Sequence, residues 1–241
     1  MKLPTLQGII RRRILVNYRV APAVIERLLP STFRPKLHGE FALAGICLIR
    51  LEQIRPQGLP VFLGASSENA AHRIAVLWED EQGKTREGVY VPRRDTNSRL
   101  NYLAGGRLFP GEQHAAKFHV TEDGAEINLL MKSDDGEVAV ELRGVTAEHL
   151  PDNSGFRTLE EASGFFEGGS LGYSATTKGA RLDGMRLKTA TWKVAPLDVK
   201  QVHSSYFADE NKFPKGSVNF DCALLMRDIE HEWHSAPNLY V

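Results

Sequence analysis

The amino-acid sequence predicts an α+β fold that is rich in β-structure, with a mainly antiparallel sheet curling into a barrel or into two packed layers. Three observations carry this expectation. About ten segments between Arg11 and Met226 show strand-like alternation or short apolar runs. Turns separate most of them, and two of these are Asp-Gly turns at Asp123-Gly124 and Asp135-Gly136. The predicted helices are few and short, so no crossover helices are available for a parallel sheet.

The first strand runs from Arg11 to Val20, with Ile14, Val16, Tyr18 and Val20 on one side. A short helix follows, opened by Pro22 and stopped by Pro30. Phe33 to Leu37 reads as a short strand and His38-Gly39 as a turn. Phe41 to Leu51 is apolar on both sides, which marks a central strand. Two prolines and a glycine make Arg55 to Pro60 a loop. Ser66 to Asp95 then reads as a hairpin. Thr96-Asn97-Ser98 caps a helix predicted over Arg99 to Ala104, with Gly105-Gly106 ending it. Gln113 to Thr121, Ala125 to Lys132 and Glu137 to Thr146 form an expected meander. Thr158 and Glu161 make a capping box for another short helix. Leu171 to Lys178 and Met185 to Val194 are further strand candidates, a loop is expected from Pro196, and Val202 to Phe207 is ambiguous. Ser217 to Met226 is the last predicted strand. Without a linker-like break or a repeat, residues 1–241 are expected to form one domain.

Thirty basic residues balance thirty acidic ones, which gives no electrostatic reason to expect a nucleic acid or an anionic membrane as partner. Arg11-Arg12-Arg13 is too short a block to alter that. Cys47 and Cys222 each lie in an apolar run and read as small buried hydrophobes. Met1 to Ile10 lacks the apolar core of a signal peptide. The longest apolar run, Phe41 to Ile49, is nine residues long, against the ~20 that a spanning helix needs. A cytoplasmic location is the resulting expectation.

The chemistry inventory is sparse. There is no phosphate-binding glycine loop and no Gly-x-Ser-x-Gly elbow. His231 and His234 would lie on opposite faces of a strand, so no metal site is expected there, and no cofactor is expected. The hairpin carries the informative residues: Glu68, Asn69, His72, Arg73, Arg93, Arg94 and Asp95 flank strands whose neighbours are buried. Polar groups in such places need partners or serve a function. Ion pairs such as Glu68 with Arg73 would account for them structurally. A cavity lined by a carboxylate and arginines, suited to a small anionic or keto-acid ligand, would account for them functionally. His72 alone reads more readily as a structural histidine.

With these segments in order, the chain resembles the acetoacetate decarboxylase-like superfamily, and within it a branch of unknown function. The resemblance rests on Arg11 to Pro30 with Tyr18-Arg19, on Ser66-Ser-Glu-Asn69 at the place of an acidic loop, and on Arg107-Leu-Phe-Pro110 at the place of a catalytic loop. Ala195-Pro-Leu, Val202-His-Ser-Ser and Phe213-Pro match the closing segment. Ser66-Ser-Glu-Asn69 and Pro92-Arg-Arg-Asp-Thr96 mark the branch. The resemblance implies a cone-like β-barrel with a few short outer helices and a binding site inside. It also implies a keto-acid Schiff base on one lysine of an adjacent pair, with an arginine and carboxylates orienting the substrate. Arg11 matches that arginine and Glu68 falls near an acidic position. The lysine pair does not match: Gly111-Glu112-Gln113-His114 follows Pro110, and the chain has no adjacent lysines.

The leading expectation is therefore a barrel that binds a small organic acid or carbonyl compound without Schiff-base chemistry. Arg11, Ser67, Asn69, His72, Arg93 and Arg94 are the candidate ligand-binding residues. One alternative is a lysine-independent lyase or hydratase, with Glu68 or Glu112 as acid or base and His114 or His72 as partner. Another is an interaction module whose hairpin charges are ion-paired and which takes no ligand. Self-association stays open.

Overall fold

The computed structural model describes residues 4–99, 111–176 and 180–241. Strand β1 (Leu6–Val20) starts earlier than Arg11 and leads into helix α1 (Pro22–Leu28), whose Pro22 lies in the first turn and whose Val24 and Ile25 are buried. Two-residue strands β2 (Arg34–Pro35) and β3 (Leu37–His38) replace the single strand expected over Phe33 to Leu37. Strand β4 (Phe41–Pro56) runs into the region read as a loop. β5 (Ala65–Glu79) and β6 (Thr85–Thr96) form the expected hairpin, paired from Glu79↔Thr85 to Asn69↔Thr96. The helix expected from Arg99 to Ala104 falls on residues 100–110, outside the described ones.

β7 (Gln113–Asp123), β8 (Glu126–Ser133) and β9 (Ala139–Thr146) are the antiparallel meander anticipated from the Asp-Gly turns. Helix α2 (Leu159–Glu167) starts at its predicted cap, where Thr158 Oγ1 accepts from the Glu161 amide at 3.1 Å. β10 (Leu171–Ala175) and β11 (Arg181–Thr189) follow. The segment from Ala195 to Ser204, read as mostly loop, is strand β12, and α3 (Ser205–Ala208) ends it. β13 (Val218–Tyr240) continues well past Met226.

These strands form one mixed sheet that curls into a ring, thirteen-stranded among the described residues. Its pairings contain two closed circuits. One runs β6-β7-β8-β9-β12-β13-β1-β4-β5 and closes through β5–β6. The other runs β6-β10-β11-β13-β1-β4-β5 and closes through β11–β13. Strands β13, β1, β4, β5 and β6 belong to both and form a shared wall. Among the described residues only β10–β6 and β6–β7 pair in parallel.

The shared wall separates two cores. Ile14, Val16, Ile46, Leu48, Ile74 and Val76 face an inner core, where the meander contributes Ile127, Leu129 and Met131. Leu15, Leu43, Cys47, Ile49 and Leu224 point the other way, toward Phe156 and the Ala162 and Phe166 side of α2. β4 is thus apolar on both sides because both of its faces are covered.

The second closure depends on a close approach at Gly88, where a Cβ would meet the Leu171 carbonyl oxygen at 2.2 Å. Gly88→Ala is expected to destabilise by about 1–3 kcal/mol, the range for overpacking, and to lower the Tm by roughly 2–4 °C per kcal/mol. Gly164 lies on the exposed side of α2 with nothing near its missing Cβ. Gly164→Ala should instead stabilise, by about 0.4–1 kcal/mol. Thermal unfolding followed by circular dichroism checks the opposite signs.

Candidate functional site

Alternation along β5 divides the polar residues of the hairpin between the two cores. Glu68 and His72 share a face with Ala70, Ile74 and Val76 of the inner core, whereas Asn69, Ala71 and Arg73 line a cavity on the other face. Two register slips select which arginines reach that cavity. β1 slips at Arg11, since Ile10 pairs with Leu51 and Arg12 with Arg50. β6 slips near Pro92, since Tyr90 pairs with Ile74 and Arg93 with His72. As a result Arg13 and Arg94, not Arg11 and Arg93, stand on the cavity wall beside Arg73.

The cavity has a volume of about 110 Å³. Apolar side chains of Ile49, Leu51, Val91, Met185, Leu187 and Trp233 make up much of its lining, and Gln113 joins it through the parallel pairing Arg94↔Gln113. Arg73 is almost fully buried. One of its nitrogens donates to Asn17 Oδ1, and its guanidinium lies 4.9 Å from the Phe166 ring centre. Arg94 Nε donates to Ser174 Oγ at 3.0 Å. Arg13 Nε donates to Cys47 Sγ at 3.2 Å, and its guanidinium lies 5.6 Å from the Trp192 ring. Burial lowers the pKa of both Arg73 and Arg94 to about 10. Among the described residues no carboxylate forms an ion pair with Arg13, Arg73 or Arg94. The stretches 1–3, 100–110 and 177–179 contain no Asp or Glu that could supply one. Asp95 also borders the cavity, but Arg93 holds it at 2.9 Å.

The other candidate residues lie outside the cavity. Arg11 is half-exposed and pairs with Glu52 at 2.9 Å and Asp228 at 2.5 Å. Arg12, fully buried, sits between Glu68 at 2.6 Å and Glu122 at 2.5 Å, and Arg50 adds a contact to Glu68 at 3.3 Å. Burial raises the Glu68 pKa against the pull of these two arginines. Ser67 Oγ accepts from Asn69 Nδ2 at 2.9 Å, and Asn69 Oδ1 accepts from Thr96 at 2.8 Å. The pairing anticipated between Glu68 and Arg73 does not form, because the two occupy opposite faces of β5. Arg93 belongs to a separate network with Asp95, Asp135 and Glu137, and His114 Nδ1 lies 3.0 Å from Asp135. Glu112 is exposed. At Gly111, whose φ is +81°, a Cβ would meet Ser174 Cβ at 2.4 Å.

Arg13 and Arg73 did not stand out in the sequence as ligand residues. The available signal was parity: Asn69, Ala71 and Arg73 had to share a face, and three successive arginines in a strand had to supply both faces.

The chain belongs to the DUF2071 family, described as uncharacterised conserved proteins, whose profile matches residues 9–225. No curated protein sequence matches it. Among solved structures it is similar to acetoacetate decarboxylase from Legionella pneumophila, with a TM-score of 0.62 and 11% identity over 98% of this chain and 88% of that one. It is also similar to an acetoacetate decarboxylase-like enzyme from Sphingomonas wittichii, with a TM-score of 0.58 and 12% identity over 98% and 92% of the two chains. A third similar structure is the enduracididine biosynthesis enzyme MppR complexed with pyruvate, with a TM-score of 0.58 and 11% identity over 100% and 91%. These likenesses establish an acetoacetate decarboxylase-like fold. No helix among the described residues is long and apolar enough to cross a membrane.

His72 is fully buried, with its ring 4.4 Å from that of Tyr206, and neither ring nitrogen has a hydrogen-bond partner among the described residues. Burial, with Arg93 and Lys212 adding to it, brings its pKa down to about 3. His231 is likewise lowered by burial, to about 4. Both are neutral in the folded protein, whereas in the unfolded chain they titrate near 6.5. Their contribution to stability is therefore complete above about pH 6.5 and is lost as pH falls toward the folded values, at up to about 1.4 kcal/mol per pH unit for each histidine. Urea unfolding at pH 7, 6 and 5 should show this loss, and His72→Leu should remove one histidine's share of the slope. An unchanged slope in His72→Leu would show that His72 is protonated within the fold.

Proposed function

We propose that this protein binds a small organic acid in the cavity between Arg13, Arg73 and Arg94, without forming a Schiff base. The observation that carries this reading is the charge imbalance at the site. The buried Arg73 and the partly buried Arg13 and Arg94 line an apolar cavity, and among the described residues no carboxylate pairs with any of them. A buried cation without a counter-ion is costly to the fold, and a ligand carboxylate held by the planar forks of arginine would remove that cost. The cavity is well below the ~300 Å³ of drug-sized sites, so the fitting ligand is an acid of about three or four carbons.

Four further features support the reading. MppR, of similar fold, has been seen complexed with pyruvate. Among the described residues no lysine lines the cavity, so none of them offers the amine that a Schiff base requires. Glu68, Glu112 and His114, the candidates for acid–base work, do not line it either. Asn69 and Gln113 supply neutral polar contacts at the cavity's edge.

Thermal shift with two- to four-carbon carboxylates tests the proposal. A ligand at about a hundred times its Kd should stabilise by about 2.7 kcal/mol. Arg94→Met should abolish that shift and leave the ligand-free protein at least as stable as the wild type, because it removes an unneutralised buried charge. A variant that is destabilised, combined with no ligand effect on the wild type, would make Arg94 a structural residue. Borohydride treatment with pyruvate should leave the intact mass unchanged.

A further inference from the structure

We infer that the ligand of this cavity is a dianion, specifically a short dicarboxylic acid, rather than a monocarboxylate such as pyruvate; this inference rests on the cavity being an organic-acid site. The argument is one of charge and shape together. Arg13, Arg73 and Arg94 come from three different strands and converge on the same cavity. Arg13 and Arg73 are close enough to repel, since the charge of Arg13 helps to lower the Arg73 pKa, though burial is the larger cause.

The single acid bordering the cavity offers little relief. Asp95 is engaged by Arg93 through both of its oxygens, at 3.1 and 3.2 Å from Nε and 2.9 Å from Nη2. A monocarboxylate would neutralise one of the three cations and leave two without a counter-ion at the cavity. A dicarboxylate neutralises two, and it offers each carboxylate its own guanidinium fork.

The neutral partners of the arginines point the same way. Each guanidinium is steadied by a neutral group: Cys47 Sγ for Arg13, Asn17 Oδ1 for Arg73 and Ser174 Oγ for Arg94. These contacts fix orientation and leave the charge available. The apolar wall formed by Ile49, Val91 and Leu187 calls for a carbon skeleton between the anionic ends, which inorganic phosphate lacks. The volume of about 110 Å³ restricts that skeleton to a short one.

Isothermal titration calorimetry at constant ionic strength and pH 7.5 tests the inference with malonate, succinate, pyruvate, acetate and inorganic phosphate. Malonate or succinate is expected to bind at least tenfold more tightly than pyruvate or acetate, and more tightly than phosphate. Arg13→Gln should weaken the diacid more than the monoacid and bring their ratio toward one. The ligand-free Tm of that variant shows whether it has folded, and Arg13→Lys, which keeps the charge, should retain most of the preference. Pyruvate binding as tightly as malonate would overturn the dianion and leave the organic-acid site standing. Phosphate binding more tightly than either diacid would overturn the dicarboxylate. Absence of binding by all five would overturn the organic-acid site itself.

Discussion

Five strands of this fold, β13, β1, β4, β5 and β6, are shared by two closures of one sheet, and so along much of their length neither face reaches water. Everything polar placed on that wall must be answered from within the protein or by something the protein binds. An ordinary antiparallel sheet can turn its charged side chains to solvent; this wall has only limited room to do so. The positions of Arg12, Arg13, Glu68, Arg73, Arg93 and Arg94 follow from that constraint, because all six belong to strands of the wall.

The wall meets the constraint in two ways. Around Arg12 and Arg93 the charges are balanced locally. Arg12 lies between Glu68 and Glu122, and Arg227 reaches Glu122 from the far side at 2.6 Å. Arg93 contacts Asp95, Asp135 and Glu137. The Asp135 carboxyl is disfavoured by its partial burial, yet hydrogen bonds from Ser133 and the Glu137 amide, together with Arg93, hold it well below the usual carboxylate range. These networks hold β6 to the β8–β9 turn and β1 to the end of β7. Around Arg13, Arg73 and Arg94 the same strands supply cations whose hydrogen-bond partners are neutral, and the acid at the cavity, Asp95, is held by Arg93. Burial lowers the pKa of Arg73 and Arg94 to about 10, which marks the charged forms as disfavoured at this site. A fold able to place acids beside Arg12 and Arg93 a few residues away leaves this cluster without them. The contrast between neighbouring networks is what singles out the cavity.

Sequence alone conveyed the β-rich, mainly antiparallel architecture because its signals are local. Asp-Gly turns set the β7–β8–β9 meander, the Thr158–Glu161 pair set the start of α2, and the doubly apolar Phe41 to Leu51 segment marked a strand covered on both faces. The C-terminal half of β13 was not legible. Its extension past Met226 through the polar His231-Glu-Trp-His stretch comes from pairing with β1 and β11, which are remote in sequence. The site was legible as a region and not as a residue set. Alternation assigns faces only while the register holds, and the slips at Arg11 and Pro92 shift parity just before the arginines that matter. The slip at Arg11 leaves that residue in an outward ion pair, whereas Arg13, beyond it, keeps the face it shares with Leu15 and reaches the cavity.

The same geometry bears on the position at which the resemblance calls for a lysine. Gly111 follows the Arg107-Leu-Phe-Pro110 stretch, in a left-handed conformation with its Cα packed against Ser174. Any side chain there would be strained by the backbone and would drive its Cβ into that serine. Ser174 Oγ is the group that accepts from Arg94 Nε and so orients the guanidinium at the cavity. A side chain at 111 would press on the serine that orients Arg94. Glycine at 111 leaves room for Ser174, Ser174 fixes Arg94, and a guanidinium fixed in this way is the kind of group that the proposed carboxylate site requires.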